Sequence, residues 1–275
     1  MLVKFFPPHP LLREIVSNFM ICAHEYDPGQ PLPSNLFPPI PEHSLYFYPR
    51  DPVTVHHLAK NTSFTSPAST IIGPQVQRVN LSLGHHHVVI RVGFHAGGLY
   101  RLLHLPMHEI VDYTCNSEDF FGSAIRRVNE QLRNTDDFTE MKVVIEDFLI
   151  RRLGRLKPTD RLDLSLASLI SSGGIPSVEA LSRDACFSLR QLERKCKERM
   201  GLSPKLFARI VRFSRAYRMR EALPGASWLS IAHTAGYYDQ MHLVRDFKVF
   251  AGVTPSGLDK ELGQSAALLQ YMLKI

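Results

Sequence analysis

The spacing of apolar residues divides the chain into two unlike parts. Up to about residue 92 short β-prone runs alternate with turn signals. Ser44 to Tyr48, Val53 to Leu58 and His87 to Val92 are separated by Tyr48-Pro49-Arg50-Asp51-Pro52 and Ile72-Gly73-Pro74. These runs predict a compact, cupin-like β-structure, either a barrel or a sandwich. Past Gly93 the period becomes helical. Gly97-Gly98 precedes Leu99, Leu102 and Leu103, a short amphipathic turn that ends before Pro106. Two longer helices are predicted over about 119–133 and 136–153, the second with Thr135 as N-cap and with Val143, Val144, Phe148 and residues 150–153 on its apolar face. Lys157-Pro158-Thr159-Asp160 reads as a linker, because proline lacks an amide donor and restricts the residue before it. Beyond it the pattern is almost wholly helical, with breaks at Ser171 to Pro176, Gly201 to Pro204, Pro224-Gly225 and Gly252 to Pro255. The expected chain is therefore α+β: a mostly β domain with a helical connector over 1–155, an all-helical domain over 160–262, and a tail helix over 263–275.

The helical part repeats itself. Leu192 and Leu243, Arg194 and Arg245, Lys197 and Lys248, Gly201 and Gly252, and Pro204 and Pro255 all lie 51 residues apart. At that offset Cys196 faces Phe247 and Ala185 faces Gly236, so one structural unit is used twice. Each copy has the layout of a helix-turn-helix. In the first, Val178 to Ala185 forms a helix, Cys186 and Phe187 turn, and Ser188 caps a second helix running to Met200. Leu189, Leu192 and Cys196 are expected inward, and Arg190, Glu193, Arg194 and Lys197 outward. In the second, Ser230 to Ala235 leads to a turn at Gly236, and Asp239 caps Gln240 to Phe250. Leu243 and Phe247 are expected inward, with Gln240, Met241, Val244, Arg245 and Lys248 outward. Between the copies, Ser203-Pro204 starts a helix that continues to about Leu223. Twenty helical residues span roughly 30 Å, close to one turn of duplex at about 34 Å.

Charge now changes the picture. The net charge is +6, but residues 155–260 carry 18 Lys/Arg against 10 Asp/Glu while the remainder carries 14 against 16. All the excess positive charge lies on the repeated segment, which suits a module that meets a polyanion. A major groove admits one helix, and Arg, Gln, Glu and apolar side chains near its N-terminus are the groups that read base edges. Each outward set contains that vocabulary. Double-stranded DNA is thus the expected partner, with Arg190, Glu193, Arg194, Lys197, Gln240, Met241, Val244, Arg245 and Lys248 as its contacts.

The stretch IAHTAGYYDQMHLVRDFKVFAGVTPSGL, residues 231–258, closely resembles the signature of the AraC/XylS transcription regulators, and LRQLERKCKERMGLSPKLF followed by RFSRA resembles their upstream half. The resemblance covers roughly residues 163–262. It implies a bundle of seven helices and a cytoplasmic, sequence-specific regulator acting at promoters, with RNA polymerase as partner. It also implies an N-terminal sensor-type domain that answers to a small-molecule effector or to a second copy of the chain. The run Gly93 to Tyr100, followed by Leu105-Pro106-Met107-His108-Glu109, is similar to a motif of one subgroup. Two departures stand out: Cys196 replaces an aromatic, and Lys195 takes a commonly apolar place.

Other chemistry is sparse. Cys22, Cys115, Cys186 and Cys196 are scattered without a Cys-x-x-Cys pair, so reduced thiols are expected. His85, His86, His87, His95, His104 and His108 invite a metal, yet no glutamate follows at a suitable distance and three consecutive histidines must point to both faces of a strand. No metal or cofactor is assigned. With no nucleophile elbow, phosphate loop or dinucleotide fingerprint, no catalytic residue is assigned either. Two other readings of the N-terminal half stay open: a cupin-like metalloenzyme and a ligand-free dimerisation module. Apolar runs are short and broken, and the first ten residues lack a signal-peptide core, so no membrane partner is expected.

Overall fold

The computed structural model describes residues 2–262 except 30, 31, 33 and 59; the tail helix expected over 263–275 lies outside the described residues. The N-terminal half contains β1 (Leu2–Phe6), β2 (Val16–Glu25), β3 (Ser34–Phe37), β4 (Ser44–Phe47), β5 (Thr54–His57), β6 (Thr62–Thr65), β7 (Ser69–Ile72), β8 (Val79–Ser82), β9 (His86–Phe94) and β10 (Thr114–Asn116). Between the last two lie α1 (Gly98–Leu103) and a 3-10 turn at Met107–Ile110, and after them come α2 (Glu118–Phe121), α3 (Ser123–Arg133) and α4 (Phe138–Ile150). The strands form two antiparallel sheets, ordered β1-β2-β9-β4-β7-β10 and β3-β8-β5-β6. No ladder among the described residues joins the two sheets, so of barrel and sandwich it is the sandwich that forms.

The larger sheet is buried on both faces. Phe19, Ile21, Leu45, Phe47, Ile90 and Val92 pack with the helices, including Ile125, Val128, Ile145 and Phe148. Their neighbours Met20, Cys22, Tyr46 and Val89 pack toward the smaller sheet with Phe37, Val55 and Val79. The result is three layers, helices on sheet on sheet. Buried Arg91 sits among the inter-sheet residues, its guanidinium donating to Glu42 and, at 3.1 Å, to Asn18.

Two helix expectations are corrected. The helix expected over 119–133 is broken at Gly122, whose φ of 59° only glycine adopts without strain, giving α2 and α3. The N-cap of α4 is Asp137 rather than Thr135: its carboxylate accepts from the amides of Thr139 and Glu140, while the Thr135 hydroxyl donates to Glu140. That start sets the helix so that Met141, Ile145, Phe148 and Leu149 face inward and Val143 is exposed.

Beyond the linker the described residues form seven helices: α5 (Arg161–Ser171), α6 (Val178–Asp184), α7 (Leu189–Met200), α8 (Pro204–Ala222), α9 (Trp228–Thr234), α10 (Gln240–Phe250) and α11 (Pro255–Leu262). They share one core around Leu166, Leu192, Phe207, Phe213, Phe247 and Phe250. Among the described residues, no helix is long and apolar enough to cross a membrane.

Candidate nucleic-acid interface

Cap chemistry fixes both repeated units. Ser177 caps α6 and Ser227 caps α9, each hydroxyl accepting from the third helical amide. Ser188 and Gln191 form a reciprocal capping box on α7, and the Asp239 carboxylate accepts from the His242 amide at 2.8 Å on α10. Ser203 and Pro204 start α8, as the sequence predicts. Gly201 is the C-cap of α7, with φ of 78°, and on α10 the cap is Ala251, followed by Gly252 with φ of 72°.

The repeat is not in constant register. Ala185 and Ala235 are the two C-caps, and both Cys186 (φ 56°) and Gly236 (φ 86°) take the left-handed position that follows. The offset is thus 50 up to the turn and 51 beyond it, which corrects the pairing of Ala185 with Gly236. The extra residue in the second turn is Tyr238, 94% exposed.

On α7 the inward stripe is Leu192, Cys196 and Met200, whereas Leu189 is half exposed; the expectation that Leu189 is buried is corrected. Lys195 is accommodated because its ammonium lies 5.3 Å from the centre of the Phe187 ring, with its stem able to cover that ring. On α10, Leu243, Phe247 and Phe250 are buried, and Phe247 meets the rings of Phe213 and Trp228 at 5.0 Å each. Cys196 offers the first unit no equivalent, so α10 has the better-fixed seat, by about 0.5–1.5 kcal/mol per aromatic pair.

Of the residues that the sequence predicts as contacts, all but Val244 are exposed. Arg190, Glu193, Arg194 and Lys197 are exposed and, with Leu189, line one open concavity along α7. On α10, Gln240, Met241, Arg245 and Lys248 are exposed and Val244 is half-buried. Lys197 lies 3.7 Å from Glu193, and Arg194 lies 4.0 Å from Glu198. Exposed pairs one helical turn apart contribute only about 0.3–0.5 kcal/mol, so a polyanion displaces them at small cost. Among the described residues, Arg190, Arg245 and Lys248 make no ion pair.

Sequence reasoning missed that the far end of α7 is seated on the N-terminal half. Glu198 accepts from the Tyr100 hydroxyl at 2.6 Å, and Lys157 donates to that hydroxyl at 3.2 Å. The Arg199 guanidinium lies 5.1 Å from the centre of the Tyr100 ring and donates to both Asp160 and Asp163. Gly201 admits a close approach as well as a positive φ: a Cβ there would stand 2.3 Å from Pro74 Cγ and 2.8 Å from the Met107 carbonyl. Among the described residues a Cβ at Gly252 would meet nothing within 4 Å, so the close approach belongs to the first unit. A glycine alone in sequence does not separate these two reasons.

His86 is exposed near Glu25, His87 is buried, and His104 pairs with the Arg155 carbonyl at 2.6 Å. Among the described residues, no three His, Cys, Asp or Glu side chains converge on one point.

Comparison with known proteins agrees with the geometry of the C-terminal units. A family described as helix-turn-helix domain matches residues 181–261. No curated protein matches the chain. Among solved structures it is similar to ToxT from Vibrio cholerae in its P21 form (13% identity, 90% of this chain and 99% of that one, TM-score 0.49). It is also similar to ToxT of strain SCE256 with unsaturated fatty acid bound (16%, 92% and 98%, TM-score 0.47) and to the AraC-like transcriptional activator CuxR (12%, 88% and 90%, TM-score 0.27). Residues 181–261, which hold both second helices and the helix between them, are a helix-turn-helix domain.

Proposed function

We propose that this chain is a sequence-specific DNA-binding regulator of transcription, reading its site with α7 and α10. The observation that supports this most is the pairing of two capped helices with exposed Arg, Lys and Gln on their outward faces, joined by one continuous 19-residue helix. At 1.5 Å per residue α8 is about 28 Å long, a rigid spacer near the length of one duplex turn. Affinity then comes from phosphate contacts by the surplus of cations, and specificity from the base edges that the outward residues reach.

In this reading the N-terminal half is the regulatory part, and RNA polymerase is the partner at the promoter. Because α7 rests on the Met107–Ile110 turn and on Tyr100, a change in the β-sandwich alters the footing of one recognition helix and not the other. A small-molecule effector bound between the sheets would shift that equilibrium by its differential affinity for the two arrangements. Asn35 supports such a guest: it is fully buried on the face of β3 shared with Phe37, and among the described residues neither of its side-chain polar atoms has a partner. A second copy of the chain joined through the exposed side of α4 would act on the same footing.

The test uses a duplex selected from random sequence by the purified protein. Arg245→Ala is expected to weaken binding to that duplex by about 1–3 kcal/mol and to relax the preference at one base pair. Unchanged affinity and preference would contradict the placement of α10 in the groove.

A further inference from the structure

The extra residue in the second turn has no role in folding that the structure shows. Tyr238 is 94% exposed, and its ring stands edge-on to His242 with centroids 6.2 Å apart. The first unit makes the same left-handed turn without any residue in this place. Burial therefore does not account for an aromatic here.

Its surroundings do. Tyr238 and His242 line a groove of about 430 Å³ between α8 and α10, together with Lys205, Arg209, Arg212 and Arg245. Cationic side chains outnumber the single carboxylate in the lining, Asp246. That carboxylate is already engaged, by the Arg209 guanidinium at 2.7 and 3.0 Å and by the Tyr237 hydroxyl at 3.2 Å. The Arg209–Asp246 pair ties α8 to α10, so the groove is formed before any ligand arrives. Its lining includes the turn before α10 and the first two turns of that helix, the part that also carries Gln240 and Met241.

We infer that this groove seats a backbone phosphate and its sugar at the edge of the major groove entered by α10. The Tyr238 hydroxyl donates to the phosphate, and Lys205 and Arg212 supply its counter-charge. The inference rests on the DNA-binding reading and adds to it a positioning contact that carries no base information but fixes the helix on the duplex. The longer turn is what brings the hydroxyl out to this position. It gives the second unit a phosphate clamp that the first unit lacks.

The experiment measures binding of Tyr238→Phe and Lys205→Ala to a selected duplex and to an unrelated duplex across a salt series, with Arg245→Ala as reference. Tyr238→Phe is expected to lose about tenfold in affinity for both duplexes alike, the loss of one hydrogen bond to a charged group. Lys205→Ala is expected to reduce the slope of log affinity against log salt by about one. Thermal unfolding of both variants should match the wild type, since both side chains are solvent-facing. If both variants keep wild-type affinity and slope while Arg245→Ala loses base preference, the clamp is overturned and the DNA-binding reading stands. A Tyr238→Phe loss confined to one base position would also overturn it, because that is the mark of a base contact. If the wild type enriches no duplex at all, clamp and reading fall together.

Discussion

Arg199→Met is expected to destabilise the protein by about 3–5 kcal/mol, the usual penalty for removing one partner of a buried ion pair. Arg199 is 8% exposed and Asp163 5% exposed, and the guanidinium is shared between Asp163 and Asp160. Both carboxylates also form the capping box of α5, so an unpaired Asp163 is left beside Asp160 at the start of that helix. The loss extends beyond the charge. Arg199 sits on the last turn of α7 against Tyr100, so the same substitution loosens the seat of α7 on the N-terminal half. At about 2–4 °C per kcal/mol for a chain of this size, the melting temperature should fall by roughly 10 °C. Arg199→Lys should recover only part of it, because an ammonium cannot fork to two carboxylates. Calorimetry on the three proteins checks this; a wild-type melting temperature in Arg199→Met would show that the network contributes nothing.

Acidification is the second large effect. Burial pushes His43 down to about 4, and burial, with help from neighbouring His24, pushes His87 down to about 4. An unperturbed histidine titrates near 6.5, so between about pH 6.5 and pH 4 the unfolded chain binds protons that the native chain refuses. The contribution of these two rings is therefore full above about pH 6.5, is lost as pH is lowered through that window and is gone below about pH 4, with about 3 kcal/mol at stake for each histidine. Denaturant titrations across this range should show the decline, and His87→Phe should remove about one proton from its slope. A flat profile from pH 7 to 4 would contradict the burial of both rings. His43 also lies against the Met200 backbone at the end of α7, a contact that favours the protonated ring and offsets part of the effect of burial.

What was legible in the sequence was local. Ser188, Ser203-Pro204 and Asp239 announce helix starts because capping involves side chain and amide only three residues apart, and α7, α8 and α10 begin where those residues place them. The outward residues were legible for a related reason: once the cap and the buried Leu243 and Phe247 are placed, the helical period determines the opposite face. The inward reading of Leu189 failed at the first turn of α7, where the core has not yet closed over the helix. The strands were harder. β2 reads VSNFMICAHE without alternation, because Phe19 and Ile21 meet helices while Met20 and Cys22 meet the second sheet. A strand covered on both faces gives up the period of two that would reveal it. The seat of α7 was beyond reach altogether. Tyr100 and Glu198 lie 98 residues apart, and Gly201 meets Pro74 across a longer separation still, contacts that no local pattern records.

The central claim is that α7 and α10 read two half-sites on one face of DNA, held apart by α8. Selection of random duplex by the purified protein, sequenced after several rounds, measures this directly. The account predicts one enriched asymmetric motif with two conserved half-sites whose centres lie about 10–10.5 base pairs apart. Binding that enriches no motif and disappears with modest salt would contradict it, since that is the behaviour of a basic surface that reads no bases.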